Sequence, residues 1–383
     1  MTGGGSGGHI TPLLAVAHEL KKLNPDVKLV YIGQRGDSLS DIPEHSPDID
    51  EVYTVQAGKF RRYHSESFIK QLFDIPTLLK NSRDFWRALV GLNQAKMLLK
   101  RIKPDVVFIK GGYVGVPVGL AAASQHIKFI THDSDAVPGL ANRIIARWAS
   151  VHAVALPKEI YNYPTEKTYM VGVPVTSNYR LVTDDLMKKY RQELNLDKYK
   201  QVVLVTGGGL GAKRLNEAMA VCIPALLKRY KDLAIVQASG RKHEQELINH
   251  YTSLLSEEDQ KRVIIMGYIE DLYRYSGAAD LIVTRAGATS IAELAIQAKA
   301  CILVPNPYLT SGHQLKNAEI LAKDGAIKMV TEAELTGGSN LRSAIEELLD
   351  SAKSRSELGN QLHKFAHPDA ALELAQLLLN TIS

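Results

Sequence analysis

The residues with most chemistry to offer stand at the start of the chain, Gly3-Gly4-Gly5-Ser6-Gly7-Gly8-His9-Ile10-Thr11-Pro12. Glycines let the backbone approach a ligand closely and take positive φ. Leu13, Leu14, Ala17 and Leu20 follow at helical spacing, and Pro12 suits a first helical turn. The pattern predicts a glycine-rich loop running into a helix whose unpaired amides face an anion, a diphosphate being the natural guest. His9 puts a titratable ring at the mouth of that loop. The bland readings are a tight turn without a ligand and a buried, hydrogen-bonded histidine.

A second glycine loop, Gly207-Gly208-Gly209-Leu210-Gly211-Ala212, lies 204 positions further on and follows the apolar run Val202-Val203-Leu204-Val205. Gly111-Gly112-Tyr113-Val114-Gly115 follows another short apolar run. In Arg285-Ala286-Gly287-Ala288-Thr289-Ser290-Ile291-Ala292-Glu293, a strand ends in a small-residue turn that starts a helix. The helix start can carry phosphate or sugar oxygens, and Glu293 one turn in can accept both hydroxyls of a ribose. The plainer use of such a glutamate is to complement the helix dipole.

Two other chemistries compete. Gly3, Gly5 and Gly8 match a dinucleotide fingerprint, as do Gly207, Gly209 and Ala212, but the expected acid closing the second strand is Gln34 in one half and Gln237-Ala238 in the other. His132-Asp133-Ser134-Asp135 contains an Asp-x-Asp pair that could hold a metal; Asp48-Ile49-Asp50 shows how easily that pattern arises.

These residues need elements to position them. Strands are predicted at 27–32, 105–109, 128–131, 151–154 and 169–171, with helices at 68–79, 84–101, 116–124 and 138–148. After a boundary at Gly172-Val173-Pro174-Val175 come a polar helix at 184–194 and strands at 202–205, 234–236, 263–266, 281–283 and 302–304. Helices at 289–297, 314–323, 342–352 and 370–379 complete the pattern. Strand–helix alternation predicts parallel sheets with helices on both faces, in two similar halves. Only Met1 and Thr2 precede the first loop, where a buried strand is expected, so the reading places the natural start a few residues upstream.

A length of 383 residues suits two or three domains, and 45% apolar with 23% charged residues is the composition of a globular enzyme. Cys222 and Cys301 form no disulfide or metal pattern, which fits a reducing cytosol. No signal peptide and no membrane-length apolar run are visible, so membrane contact is expected to be peripheral. Between Gln56 and Lys103 there are eleven basic residues and three acids. Phe60, Arg61, Arg62, Phe73 and Trp86 belong to this stretch, in which aromatics alternate with the basic residues. Such a surface suits an anionic leaflet; its bland counterpart is a solvated helix face with core aromatics. No recognition motif for nucleic acid accompanies the charge.

Together, the blocks 4–11, 104–117, 136–143, 207–216, 280–293 and 314–318 resemble the MurG family of bacterial peripheral-membrane glycosyltransferases, over nearly the whole chain. Members add N-acetylglucosamine to undecaprenyl-diphospho-muramoyl-pentapeptide (lipid I), giving lipid II for peptidoglycan synthesis. The resemblance implies an α/β fold of the GT-B type, two Rossmann-like domains facing across a cleft. Residues 1–175 would form the acceptor- and membrane-facing domain, 176–366 the UDP-sugar domain, and helix 367–383 would pack back on the first.

Carried over by position, the resemblance gives UDP-N-acetylglucosamine to Ser6, Gly7, Gly8, Asp135, Thr176, Gly209, Ile269, Ala288, Thr289, Ser290, Glu293 and Gln314. It gives the acceptor's diphosphate to Gly4, Gly5, Gly111, Gly112 and Tyr113, and makes His9 the base. A helix start disfavours imidazolium, keeping such a base neutral. No cofactor and no metal is implied, and the implied place is the cytoplasmic face of the membrane. Asp135 stands for a usual amide, Thr176 for a usual arginine and Gly209 for a usual serine. The alternatives are a related transferase acting on another lipid, a UDP-sugar 2-epimerase, and a sugar-nucleotide-binding subunit without activity of its own.

Overall fold

In the computed structural model the described residues are all but 6, 38, 59–74, 209, 210, 310, 311 and 383, and the side chains of 75–81 are also outside the described set. The chain forms two compact units, Met1–Ser177 with His367–Ser383, and Asn178–Ala366.

The first unit runs α1 (Gly7–Leu23), β1 (Val30–Gln34), β2 (Glu51–Val55), α2 (Ile75–Ile102), β3 (Val107–Ile109), α3 (Gly115–Ser124), β4 (Phe129–Asp133), α4 (Leu140–Ile145), β5 (Val151–Val154) and β6 (Thr168–Met170). β1 pairs with β2, and β3-β4-β5-β6 lie in chain order, every pair parallel. Met1 and Thr2 stand between β1 and β3. Ile32 N–H donates to Met1 O at 2.9 Å, Thr2 N–H to Phe108 O at 2.8 Å, and Lys110 N–H to Thr2 O at 3.0 Å. One bridging residue thus fills the place of a central strand.

The second unit runs α5 (Asp184–Glu193), β7 (Gln201–Thr206), α6 (Lys213–Arg229), β8 (Leu233–Ala238), α7 (Glu244–Leu254), β9 (Val263–Met266), α8 (Leu272–Ala278), β10 (Leu281–Thr284), α9 (Ala288–Ile296), β11 (Cys301–Leu303), α10 (His313–Lys323), β12 (Lys328–Met329), α11 (Ser339–Asp350) and α12 (Ala352–His363). Its six strands are parallel in the order β12-β11-β10-β7-β8-β9. Val202, Val203, Leu204 and Val205 are fully buried, as a strand covered on both faces requires. The order reverses at β7, so the loops after β7 and β10 meet at a topological switch point, where parallel sheets bind ligands.

The last helix, α13 (Ala370–Ile382), returns to the first unit. Leu13, Val16, Ala17 and Leu20 of α1 share one core with Tyr31, Phe108 and Ile130 of the sheet and with Leu374, Ala375 and Leu378 of α13. The i, i+3, i+4, i+7 stripe forms this face, and each fully buried leucine contributes roughly 1.5–3 kcal/mol.

Several boundaries depart from the sequence reading. α1 begins at Gly7, so Pro12 sits in the second turn rather than the first. Its missing N–H leaves the Gly8 carbonyl without a helical donor. A single helix, α2, covers the described part of the two expected at 68–79 and 84–101. The helix expected at 138–148 is α4 followed by one 3-10 turn, Ala146–Trp148. The half-exposed strand β2 and the polar helix α12 were not anticipated. Thr176, assigned by sequence to the second domain, belongs to the first unit.

Candidate functional site

In the first unit the opening glycines and the 111–115 loop lie against each other at the sheet's C-terminal edge. Gly5, Gly111 and Gly112 have φ of +80°, +120° and +79°. A Cβ on Gly112 would stand 2.5 Å from Gly4 O, and one on Gly5 would stand 3.5 Å from the Tyr113 ring. The approach at Gly112 leaves no room for a Cβ, and the positive φ at all three positions favours glycine. Gly4, Gly5, Gly111, Gly112 and Tyr113 are therefore brought together.

His9 lies in the first turn of α1, and its Nδ1 is 2.9 Å from Gly4 O. A carbonyl only accepts, so Nδ1 carries the proton and Nε2 is the nitrogen able to take one up. A Cβ on Gly111 would be 3.5 Å from that Nε2, which places the basic nitrogen beside the second loop. Gly7 and Gly8 form the start of the same turn. Ser6 lies outside the described residues. Asp37, which the sequence reading did not single out, accepts the Gly5 N–H at 2.7 Å through Oδ2. A carboxylate thus occupies one of the amides an anion would use.

Beneath the loops is a buried polar cluster. Lys110 is 3% exposed and donates to Ser134 Oγ at 2.8 Å; burial pulls its ammonium down to about 8, against the opposing charges of Asp135 and Asp133. Asp135 is half-buried. Asp133 Oδ1 accepts from Gly139 N–H at 2.9 Å and Asn142 Nδ2 at 3.0 Å, and Oδ2 accepts from Tyr163 at 2.8 Å. The Asp-x-Asp pair is therefore engaged by protein donors and a lysine charge, and no metal-type cluster occurs among the described residues. His132 Nε2 donates to Gly172 O at 2.9 Å, and burial pushes its pKa well down.

In the second unit, Ala288, Thr289 and Ser290 form the first turn of α9, uncapped by any side chain, and Glu293 follows. Gln314 is 9% exposed; its Oε1 accepts from Asn306 N–H at 3.0 Å, and its Nε2 would stand 4.0 Å from a Cβ on Gly287. Gln314 and the start of α9 are thus neighbours, fixed further by Asn317 Nδ2 donating to Ala286 O at 3.3 Å. The buried pair Arg285–Glu332 holds the residue just before the turn. The Ile269 side chain is 5% exposed within the core, so only its backbone could meet a base. Gly209 lies outside the described residues.

The Glu293 carboxyl is pushed up to about 8 by burial, opposed by the neighbouring Tyr179 hydroxyl. Both residues line a small cavity with Thr206, Ser276, Thr284 and Ser290. Tyr179 escaped the sequence reading because nothing local marks it: it lies in a polar stretch beyond Gly172–Val175, and only the fold carries it to Glu293.

Of the basic aromatic stretch, Phe60, Arg61, Arg62 and Phe73 lie outside the described residues. Trp86 is 65% exposed on α2, with Phe85 edge-on at 6.5 Å. Leu89, Val90 and Met97 are also exposed, and Arg83 and Arg87 flank the pair. Among the described residues no helix is long and apolar enough to cross a membrane.

Two parallel α/β units, each with a glycine- or small-residue turn leading into a helix start, define a protein built to handle a phosphorylated nucleotide. Residues 1–154 match the glycosyltransferase family 28 N-terminal domain and residues 202–374 the family's C-terminal domain. The chain is 32% identical over 378 residues to a Bacillus cereus protein named UDP-N-acetylglucosamine--N-acetylmuramyl-(pentapeptide) pyrophosphoryl-undecaprenol N-acetylglucosamine transferase 1, covering 99% of this chain and 97% of that one. The solved structure of Acinetobacter baumannii MurG covers 99% of this chain and 98% of its own, at a TM-score of 0.69 and 24% identity. That of a Neisseria meningitidis UDP-GlcNAc 2-epimerase bound to UDP-GlcNAc covers 99% and 98%, at a TM-score of 0.68 and 16% identity, a likeness of fold alone. The chain belongs to glycosyltransferase family 28 and has the GT-B fold.

Proposed function

We infer that the protein transfers N-acetylglucosamine from UDP-N-acetylglucosamine to lipid I, forming lipid II for peptidoglycan synthesis. The observation that carries this reading is the end-to-end relationship, at 32% identity, to a transferase named for that donor and acceptor. The geometry within each unit supports it. In the second unit, Glu293 accepts the ribose hydroxyls, the amides at the start of α9 beside Ala288, Thr289 and Ser290 receive the diphosphate, and Gln314 reads the sugar. The backbone at Ile269 meets the uracil. In the first unit, Gly4, Gly5, Gly111, Gly112 and Tyr113 cradle the acceptor's diphosphate, displacing Asp37 from the Gly5 amide.

His9 Nε2 takes the proton of the acceptor's sugar hydroxyl as its oxygen bonds to the anomeric carbon. UDP leaves with the electron pair of the broken C–O bond, so the configuration inverts. Charge developing on the diphosphate falls on preorganised amides, which stabilise it without a metal. Gly7, Gly8, Asp135 and Thr176 supply the first unit's share of donor contacts in this reading, and Lys110 offsets the charge that Asp135 adds. Exposed Phe85 and Trp86 among basic residues suit peripheral binding to the cytoplasmic face of an anionic membrane.

Purified protein given labelled UDP-N-acetylglucosamine and a lipid I analogue tests the reading. Label moving into lipid with a chelator present supports it. Label remaining in the nucleotide as the 2-epimer, or transfer only to a different lipid, overturns it.

A further inference from the structure

Tyr179 is the second residue of the second unit, and its ring is fixed by partners that owe nothing to Glu293. It packs edge-on to Tyr273 at 6.1 Å, and Tyr273 packs edge-on to Tyr190 at 6.0 Å; Tyr190 is 4% exposed. Gln297 Nε2 holds the Tyr273 carbonyl at 2.8 Å, and Ser276 holds Gln297 Oε1 at 2.6 Å. Packing from α5, α8 and Gln297 at the end of α9 therefore fixes the Tyr179 ring, and Tyr179 and Glu293 line one small cavity. Tyr268 is the other titratable group facing Tyr179.

A vicinal diol needs both oxygens of a carboxylate in one plane, one for each hydroxyl. The last torsion of a glutamate is broad, so a free carboxylate seldom holds that plane. A carboxylate has about four acceptor sites, so one can take a tyrosine hydroxyl while two others take a ribose. We propose that Tyr179 is the positioning residue of the donor's ribose site, its hydroxyl fixing the Glu293 carboxylate in the orientation that receives both ribose hydroxyls. This rests on Glu293 being the ribose acceptor, as proposed above.

The test is calorimetric titration of Tyr179→Phe with UDP and with 2′,3′-dideoxy-UDP near neutral pH. Phenylalanine keeps the ring and its edge contact on Tyr273, and a melting curve verifies the fold. The variant should bind UDP about tenfold more weakly, the size of a lost hydrogen bond to a charged group, and bind the dideoxy nucleotide as wild type does. Unchanged UDP affinity, an equal loss for both nucleotides, or tighter UDP binding would each overturn the proposal, the last by making Tyr179 a competitor of the ribose. Glu293→Gln separates the two claims. If it leaves UDP affinity unchanged, the ribose reading itself fails; if it weakens UDP while Tyr179→Phe does not, the Tyr179 proposal alone falls.

Discussion

Donor binding should release a proton from Glu293. In the free protein its carboxyl sits at about 8 against an ordinary 4.5, because burial outweighs the effect of the neighbouring Tyr179 hydroxyl. At 1.36 kcal/mol per unit that gap is at most roughly 5 kcal/mol, an upper bound because Glu293 keeps part of its surface in solvent. A ribose diol donates, so it needs the ionised form. Affinity for UDP-N-acetylglucosamine should therefore climb about tenfold per pH unit below 8, roughly fiftyfold from pH 6 to pH 8, and then level off. The sugar nucleotide is the right probe because a terminal phosphate, as in UDP, itself titrates near pH 6. Calorimetry in two buffers of different ionisation enthalpy reads proton release directly. Stability moves the other way. The folded pKa lies above the unfolded one, so the contribution is full below about 4.5 and is lost as pH rises through about 8. Glu293→Gln should thus bind weakly with a flat pH profile, yet melt above wild type at alkaline pH. A flat wild-type profile, or the same slope in the glutamine variant, would refute the reasoning.

Other expectations follow from the same geometry. Gly112→Ala at φ +79° puts a Cβ 2.5 Å from Gly4 O, whereas Gly36→Ala at φ +76° meets open space. Both should lose about 1–2 kcal/mol to backbone strain in melting experiments, with Gly112→Ala losing more through its clash, and only Gly112→Ala should also cut transfer. The folded pKa of Lys110, about 8, lies below its unfolded 10.5, so wild type should gain up to roughly 3 kcal/mol relative to Lys110→Met as pH rises from about 8 to 10.5, seen as melting curves that shift in its favour. Replacing Phe85 and Trp86 by alanine should leave melting nearly unchanged, since both are exposed, yet reduce sedimentation with anionic vesicles; full retention would remove the pair from the membrane surface.

What was legible in the sequence was what local physics dictates. Val202–Val205 reads as a buried strand because no other element tolerates such a run between turn signals. The 111–112 loop reads as special because its positive φ values admit glycine with little rival. β2 was missed because Glu51–Val55 is mostly half-exposed and, among the described residues, pairs only with β1, leaving no clean apolar period. Pro12 misled because it sits in the second turn of α1, where its missing N–H removes only the one helical hydrogen bond it would have donated to the Gly8 carbonyl. Asp37 and Tyr179 could not have been read at all: each acts on a residue more than thirty positions away, at Gly5 and Glu293, through the fold. The buried Lys110 ammonium faces Asp135 and Asp133, whose charges oppose the downward push of burial on it.

The catalytic proposal is that the His9 imidazole, anchored through Nδ1 on Gly4, takes the proton of the incoming alcohol. It is tested most directly by the single-turnover rate of label transfer in His9→Gln, with donor affinity measured on the same sample. The rate should fall by about a hundredfold or more at unchanged affinity; a rate equal to wild type would contradict the account.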